Sequence, residues 1–529
     1  MKRKKMHLKK FNLHPITTFI LLTVLVMILS SILSFLQVQV SYSRVNSVTK
    51  SLESTIVAVE GMFNVSGFQY IISNAANNFV AFTPLSTLLI GLIGLSVAYS
   101  SGLIDTFIKR CTLNVNNKTI TFIIIFLATI SSIINDVGYV MLIPLSALIF
   151  LANGRNPLLG ITASFCGVAF GYGATLFAGT TEMSLVPITE SAASLIDSVH
   201  VGMLSNIVAI VISTVVVSLV GTFVIENIIL KRIGKYKVSS EDGLGDTKEI
   251  KLESVSLEEQ KRLEIEAKEK KGLRNALIAI LVILLFTYMI IPGLPGSGLL
   301  LDMNETGYMY QLFSPNSYLQ DGFTYLVSVL FLATGLAYAI GARTLKSDKD
   351  LIEKSSLYLK DVGYLVILVF FASQFIAVFK KTNIGTVIVA SISNIIKGIG
   401  FTGLPLIFVI LILIAISGLF VTTQSAKWTV LAPSVVPVMM QANLSPQFAQ
   451  FVFRAADSMT KGFTPLLAYF VIYLGYLNIY NTEKEPISIK KALSFIAPYC
   501  LIISITWIFL VCMIYVVGIP IGPGVYANS

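Results

Sequence analysis

Charge is what this 529-residue chain has least of: Asp, Glu, Lys and Arg make up 12% of it, against roughly 25% in an ordinary soluble protein. With 55% hydrophobic residues and a mean hydropathy of +0.81, the chain lacks the polar surface of a soluble enzyme. Histidine is nearly missing. It occurs at His7, His14 and His200, never mid-span and never at metal-ligand spacing. The four cysteines, Cys111, Cys166, Cys500 and Cys512, contain no C-x-x-C pair, so neither a disulfide framework nor a zinc site is indicated. No G-x-x-x-x-G-K-[ST] loop is present, so ATP drive would need a partner subunit. No A-x-A-like cleavage site follows the first apolar stretch, which reads as a retained span rather than a signal peptide.

The charge that is present is unevenly spread. Residues 231–274 hold 12 of the 38 Lys/Arg and 10 of the 28 Asp/Glu, and the other 485 residues share the remaining 44 charges. The net charge of +10 does not imply nucleic acid, because basic residues gather at the ends of apolar runs, as orientation signals do. A span needs about 20 apolar residues. Nine candidates appear, at 15–36, 84–108, 157–180, 202–230, 273–292, 322–342, 361–380, 447–477 and 491–518. Six basic residues precede the first, placing the N-terminus inside, while 37–83, 293–321 and 519–529 hold two, zero and zero Lys/Arg and fall outside.

Two apolar stretches, 119–153 and 404–442, are too long for one span and are broken by polar residues, SIINDVGY at 132–139 and TTQSAKW at 422–428. The first begins and ends beside segments assigned to the inside, so it enters and leaves by one face as a re-entrant hairpin. The second is its counterpart from the outside. Non-helical backbone at membrane depth is tolerated only where protein or water surrounds it, so the tips point into an interior cavity.

A shift of 289 residues carries Asp136 onto Ser425, Pro144 onto Pro433, Pro157 onto Pro446 and Gly173 onto Gly462. Each second Pro opens a span, where Pro is favoured, and each Gly lies where that span should break. The expected fold is an all-α polytopic membrane protein: about nine transmembrane helices plus two oppositely oriented re-entrant hairpins in an inverted repeat. Its parts are a cytoplasmic basic N-terminus (1–14), a first membrane repeat (15–230) with hairpin 119–153, and a charged cytoplasmic linker (231–272). A second repeat (273–518) with hairpin 404–442 and an external tail (519–529) follow. Inverted repeats with broken helices are a transporter signature.

Charges inside a membrane are costly and functional by default. Five stand out: Asp136, Lys427, Arg454, Asp457 and Lys461. Arg454 and Asp457, three apart, share a helix face; they form either a structural salt bridge or an anion site with Arg454 as the fork. Asp136 is either a helix cap or a protonatable coupling residue. Trp428 either packs or stacks on an aromatic substrate, whereas Trp507 reads as packing or an interface anchor. Asn135, Thr422, Thr423, Gln424 and Ser425 supply uncharged hydrogen-bonding groups at the tips. Glu182 reads as a solvated loop carboxylate or a site residue. The run EEQKRLEIEAKEKK at 258–271 reads as a solvated cytoplasmic helix without chemistry.

Three blocks carry a family resemblance: SSIINDVGYVMLIPLSALIFLANGRNPLLGI at 131–161 with GVAFGYGATLFAGT following, SAKWTVLAPSVVPVMM at 425–440, and RAADSMTKGFTPLLAYF at 454–470. Here the chain resembles the AbgT family, the bacterial p-aminobenzoyl-glutamate transporters, over most of its length from the second span onward. The resemblance implies a dimer with nine spans and two opposed hairpins. It also implies transport of aromatic amide or aminobenzoate-type compounds, as uptake of folate breakdown products or export of sulfonamide-like antimetabolites. By position the family's site residues fall on Asp136, Ser425, Trp428, Pro446, Arg454, Asp457 and Pro465. The chain departs from the family pattern at Asn135, where Ser is common, and at Lys461, where Asn is usual.

The reading is a secondary active transporter of a small aromatic carboxylate or sulfonamide in a bacterial inner membrane, a homodimer with no nucleic-acid partner. The substrate lies among Asn135, Asp136, Ser425, Lys427, Trp428, Pro446, Arg454, Asp457 and Pro465. Asp136 or Asp457 carries a coupling proton, with elevator-like movement of the hairpins and no resident cofactor or metal. A sodium-coupled carboxylate transporter is the close alternative. A channel, or an intramembrane enzyme lacking any visible nucleophile–base pair, is the more distant one.

Overall fold

The computed structural model describes residues 13–46, 51–112, 115–134, 136–234, 236, 255–283, 288–294 and 297–528. The chain opens with α1 (Pro15–Phe35), a β-hairpin of β1 (Gln39–Val45) and β2 (Leu52–Ala58), then α2 (Val65–Val80), α3 (Thr83–Ser100) and α4 (Leu103–Thr112). Next come α5 (Asn117–Ile130), α6 (Val137–Ala152), α7 (Pro157–Gly171), α8 (Thr180–Ala193), α9 (Ile207–Val224) and α10 (Leu230–Ile233). The middle of the chain holds α11 (Val255–Ile283), α12 (Tyr308–Phe313), α13 (Tyr318–Ala342), α14 (Asp348–Tyr358), α15 (Val362–Lys381) and α16 (Ile384–Lys397). It ends with α17 (Gly403–Gly418), α18 (Gln424–Gln441), α19 (Pro446–Thr460), α20 (Ala468–Ile479) and α21 (Ile489–Val517).

Among the described residues seven helical stretches are long and apolar enough to cross a membrane, at Pro15–Phe35, Val65–Ser100, Ile207–Ile233, Glu264–Ile290, Tyr318–Ala342, Val362–Lys381 and Ile489–Val517. They account for seven of the nine expected spans. The other two, at 157–180 and 447–477, are the ones expected to break, and they do, into α7 with α8 and α19 with α20. The second span starts earlier than expected, at Val65 rather than near residue 84, and α4 is a separate helix after Gly102, whose φ is +83°. The β-hairpin and α16 add to the expected elements. β1 runs antiparallel to β2 with Ser41 opposite Ile56, and it packs on α16 and α18.

The hairpin arms are short. α5 has 14 residues, α6 16, α17 16 and α18 18, so each reaches at most about 27 Å at 1.5 Å per residue, short of a hydrocarbon core of about 30 Å. α5 and α6 pack on α7, and α17 and α18 pack on α19. The arms also cross between repeats: α18 packs on α8, and α6 packs on α20.

The repeat holds to the residue at the two broken helices that start on Pro. Shifted by 289, the bounds of α7 (157 and 171) fall on those of α19 (446 and 460), and the last residue of α6 (152) falls on that of α18 (441). Both broken helices start on Pro behind a side-chain cap: Asn156 accepts from the Leu158 N–H, and Ser445 from the Phe448 N–H. α7 is buried in all but Leu158 and α19 in all but Thr460, as expected of helices ringed by others.

The two breaks lie against one another. A Cβ on Gly173 would sit 2.7 Å from both the Arg454 carbonyl oxygen and Ser458 Oγ, and one on Gly462 would sit 2.7 Å from the Ala169 Cβ. Ala169 and Ser458 are themselves related by the 289 shift, so the contacts are reciprocal, as a two-fold relation requires. The irregular backbone between α7 and α8 is satisfied by side chains: the Gly173 N–H donates to Ser458 Oγ at 2.6 Å, and Thr214 donates to the Thr175 carbonyl at 2.9 Å.

Candidate functional site

Arg454 and Asp457 sit one turn apart on α19, both fully buried. They are not each other's salt-bridge partners. Arg454 pairs with Glu182 in the first turn of α8, and Lys427 in the first turn of α18 donates to Asp457 Oδ1. Both pairs are sealed, with side-chain exposures of 0% and 1% for the first and 0% and 0% for the second. Together they bind α19 to both repeats. Gly418, at the end of α17, makes room for this, since a Cβ there would come 3.3 Å from Lys427 Nζ and 2.7 Å from Thr460 Oγ1.

Glu182 is therefore no solvated loop carboxylate. Its Oε2 accepts the Gly179 N–H at 2.8 Å, forming one half of a capping box at the start of α8, where the helix dipole favours a negative group. The spacing from Gly179 to Glu182 is the sequence signal that could have identified it.

The first hairpin tip brings Asp136 to the same region. Asp136 stands at the N-cap position of α6, yet its side chain makes no capping hydrogen bond. Its carboxylate instead interacts with the Tyr172 and Tyr469 hydroxyls and feels the charge of Lys461 without a salt bridge to it. Its Oδ1 is sealed from solvent without a hydrogen-bond partner. Tyr139, one turn along α6, stacks on Tyr469 with centroids 4.5 Å apart and planes 8° from parallel. Lys461, the C-cap of α19, is buried with its Nζ 2.9 Å from the centroid of the Tyr172 ring. Asn135 lies outside the described residues.

Trp428 is fully buried. Its indole N–H donates to Thr189 Oγ1 at 2.9 Å, that hydroxyl meets Gln450 Oε1 at 2.7 Å, and one ring face stacks on Phe453 at 4.4 Å. Ser425, at the start of α18, is half-buried, Pro446 opens α19, and Pro465 lies half-buried in the break between α19 and α20. Trp507 is a packing residue, its N–H held by the Phe170 carbonyl at 3.0 Å.

Of the expected residues, Lys427, Arg454 and Asp457 are brought together directly and Asp136 lies in the same region, joined by Glu182, Tyr172 and Tyr469. Trp428 is engaged with Thr189 and Phe453, and among the described residues no contact ties Ser425, Pro446 or Pro465 to the charged cluster. The charges balance, three cations (Lys427, Arg454, Lys461) against three carboxylates (Asp136, Glu182, Asp457). Buried ions are tolerated when paired; two of the three cations are salt-bridged here, and a charge-balanced site can exchange a protein carboxylate for another anion without net change in charge.

A family model described as the "AbgT putative transporter family" matches residues 10–528. The p-aminobenzoyl-glutamate transport protein of Escherichia coli K12 is 31% identical over 516 residues, which is 97% of this chain and 94% of that protein. Among solved structures, the antimetabolite efflux pump MtrF of Neisseria gonorrhoeae is 30% identical, with 98% of each chain covered and a TM-score of 0.47. The YdaH transporter of Alcanivorax borkumensis is 24% identical, with 97% of this chain and 100% of that one covered and a TM-score of 0.47. The matching model describes a family of membrane transporters rather than enzymes, and the Escherichia coli relative is a transport protein. The chain belongs to the AbgT transporter family.

Proposed function

We propose that the chain is a secondary active transporter of a small aromatic organic anion, of the p-aminobenzoyl-glutamate or p-aminobenzoate and sulfonamide-like class. The observation that carries this reading is the two sealed salt bridges joining α19 to α8 and α18. A substrate carboxylate competes with Glu182 for the planar fork of Arg454. A carboxylate that loses its cation in a buried site takes up a proton rather than stay charged. Asp136 and Asp457 are the coupling residues, joined here by Glu182.

In this reading Trp428 meets the substrate ring only after α18 parts from α8, because its N–H and one ring face are already occupied by Thr189 and Phe453. The two hairpins and broken helices move together, elevator-like, against a scaffold that includes α13 with α3 and α11, both of which pack on it. The scaffold also provides the interface of a homodimer in a bacterial inner membrane, with the N-terminus inside by the Lys/Arg bias. Sodium coupling is the second reading, supported by the carbonyls that broken helices expose to cations.

The deciding experiment is uptake of radiolabelled p-aminobenzoyl-glutamate and p-aminobenzoate by proteoliposomes under imposed pH or Na⁺ gradients. A response to the pH gradient alone is expected. Indifference to both gradients would sink secondary coupling, and rapid passive flux unchanged by Asp457→Asn would point to a channel.

A further inference from the structure

We propose that the Lys461 ammonium is a resident counter-cation, filling as part of the chain a position built to hold a free monovalent cation, so that the transport cycle needs no Na⁺.

Tyr172 and Lys461 are the C-cap residues of α7 and α19, are related by the 289 shift, and touch each other. A residue that contacts its own repeat mate lies at the two-fold axis. The C-terminal ends of two broken helices therefore converge on this point. Each such end carries a partial negative charge and unsatisfied carbonyls, and half-helix C-termini are where broken-helix transporters coordinate cations. Two carboxylates add to the negative field, since Asp136 and Asp457 both lie close enough to act on Lys461. Each also has a buried oxygen without a hydrogen-bond partner, Asp136 Oδ1 and Asp457 Oδ2. The position is therefore cation-attracting whatever cation fills it.

Lys461 is the cation present. It is 4% exposed, and its Nζ lies on the face of Tyr172, while the hydroxyl of the same ring reaches Asp136. A cation on the ring face is attracted by its quadrupole, and the phenol links that cation to the carboxylate. The other two buried cations are engaged elsewhere, Arg454 with Glu182 and Lys427 with Asp457. Lys461 forms no such salt bridge among the described residues, and of the two carboxylates that act on it Asp136 is the one without a salt-bridged cation of its own. The ring contact of Lys461 is Tyr172 from the end of α7, and the charges acting on it are Asp457 from α19, Asp136 from the start of α6 and, repulsively, Lys427 from α18. An ammonium is a compact point charge, and one held by the chain is not lost between turnovers as a free ion would be.

The test uses the full-length protein in detergent and in proteoliposomes, and the inference rests on the transporter reading only for the second. In the first arm Tm is measured against NaCl and LiCl, with choline chloride at equal ionic strength as reference. The wild-type protein should show no saturable response to Na⁺ or Li⁺. Lys461→Gln should unfold at lower temperature in choline and be restored saturably by Na⁺ or Li⁺. Saturable stabilisation of the wild type by Na⁺, or a Lys461→Gln protein as stable as the wild type and blind to every cation, overturns the inference. Should Lys461→Gln not yield folded protein, the double variant Asp136→Asn/Lys461→Gln decides. Recovery of a monodisperse, cooperatively unfolding protein bears the pairing out, and a double variant as unfolded as the single overturns it. In the second arm wild-type uptake should be equal with and without Na⁺, and uptake by Lys461→Gln should be lost without Na⁺ and regained with it. Wild-type uptake that requires Na⁺ overturns the inference while leaving transport intact. Failure to move any of the aromatic anions, with the thermal results as expected, overturns the substrate reading alone.

Discussion

Glu182 and Arg454 come from opposite repeats and close on one another with both side chains buried, the carboxylate also capping α8 through the Gly179 N–H. Glu182→Gln keeps an acceptor for that N–H but leaves the guanidinium without a counter-charge. Breaking a buried pair by removing one partner costs about 3–5 kcal/mol, so a clear fall in Tm of the solubilised protein is expected. Substrate should partly reverse it, because an arriving carboxylate replaces the lost partner. A thermal-shift titration with p-aminobenzoyl-glutamate checks this, and a variant no more stabilised by the compound than the wild type would count against competition at Arg454.

The Lys427–Asp457 pair makes a double-variant prediction. Lys427→Met and Asp457→Asn should each destabilise by about 3–5 kcal/mol, since each strands a buried group. Together they should cost less than the sum, because no charge is left unpaired. Denaturation of the three variants measures the coupling. Proteoliposome flux should be lost in all three, including the stable double variant, if the pair takes part in transport beyond holding α18 to α19.

Trp428 separates hydrogen bonding from packing. Trp428→Phe removes the N–H that reaches Thr189 at 2.9 Å and keeps a ring against Phe453, so a loss of roughly 0.5–1.5 kcal/mol is expected. Trp428→Ala also empties a fully enclosed site and should cost about 3–5 kcal/mol. Equal Tm values for the two variants would contradict the packing described.

Glycine at the crossing of the breaks is steric in purpose. Gly173→Ala drives a methyl to 2.7 Å from the Arg454 carbonyl oxygen, and overpacking of this kind costs about 1–3 kcal/mol. Gly322→Ala is the contrast: it lies within α13 with nothing within 4 Å of the added Cβ. Its stability should rise by the roughly 1 kcal/mol that Ala gains over Gly in a helix. Differential scanning calorimetry should show the two Tm values moving in opposite directions.

What can be read from the sequence follows from the kind of signal each residue carries. Pro157, Pro446, Gly173 and Gly462 impose backbone geometry by themselves, so the starts and breaks of α7 and α19 are legible from residue types and spacing alone. Lone charges in apolar runs are equally legible, and Asp136, Lys427, Arg454, Asp457 and Lys461 do converge. Their pairing is not, because a salt bridge depends on which helix lies opposite. Arg454 and Asp457, neighbours on one face, serve Glu182 and Lys427 instead of each other. Glu182 is hard to place because a carboxylate in a Thr-rich turn looks solvated until α19 covers it. The hairpin of β1 and β2 has only a weak signal, a short polar alternation such as Val40-Ser41-Tyr42-Ser43, which hydropathy alone does not separate from an external loop.

The contact of Tyr172 with Lys461 bears on why both halves are one polypeptide. A residue on a two-fold axis meets a copy of itself whenever the halves are identical chains. Two lysines there would repel, and two tyrosines would carry no charge to set against Asp136. A ring on one side and an ammonium on the other can be encoded only once the two halves differ in sequence, as they do within this single chain. The diverged halves thus hold a mixed pair that no assembly of identical single repeats can form.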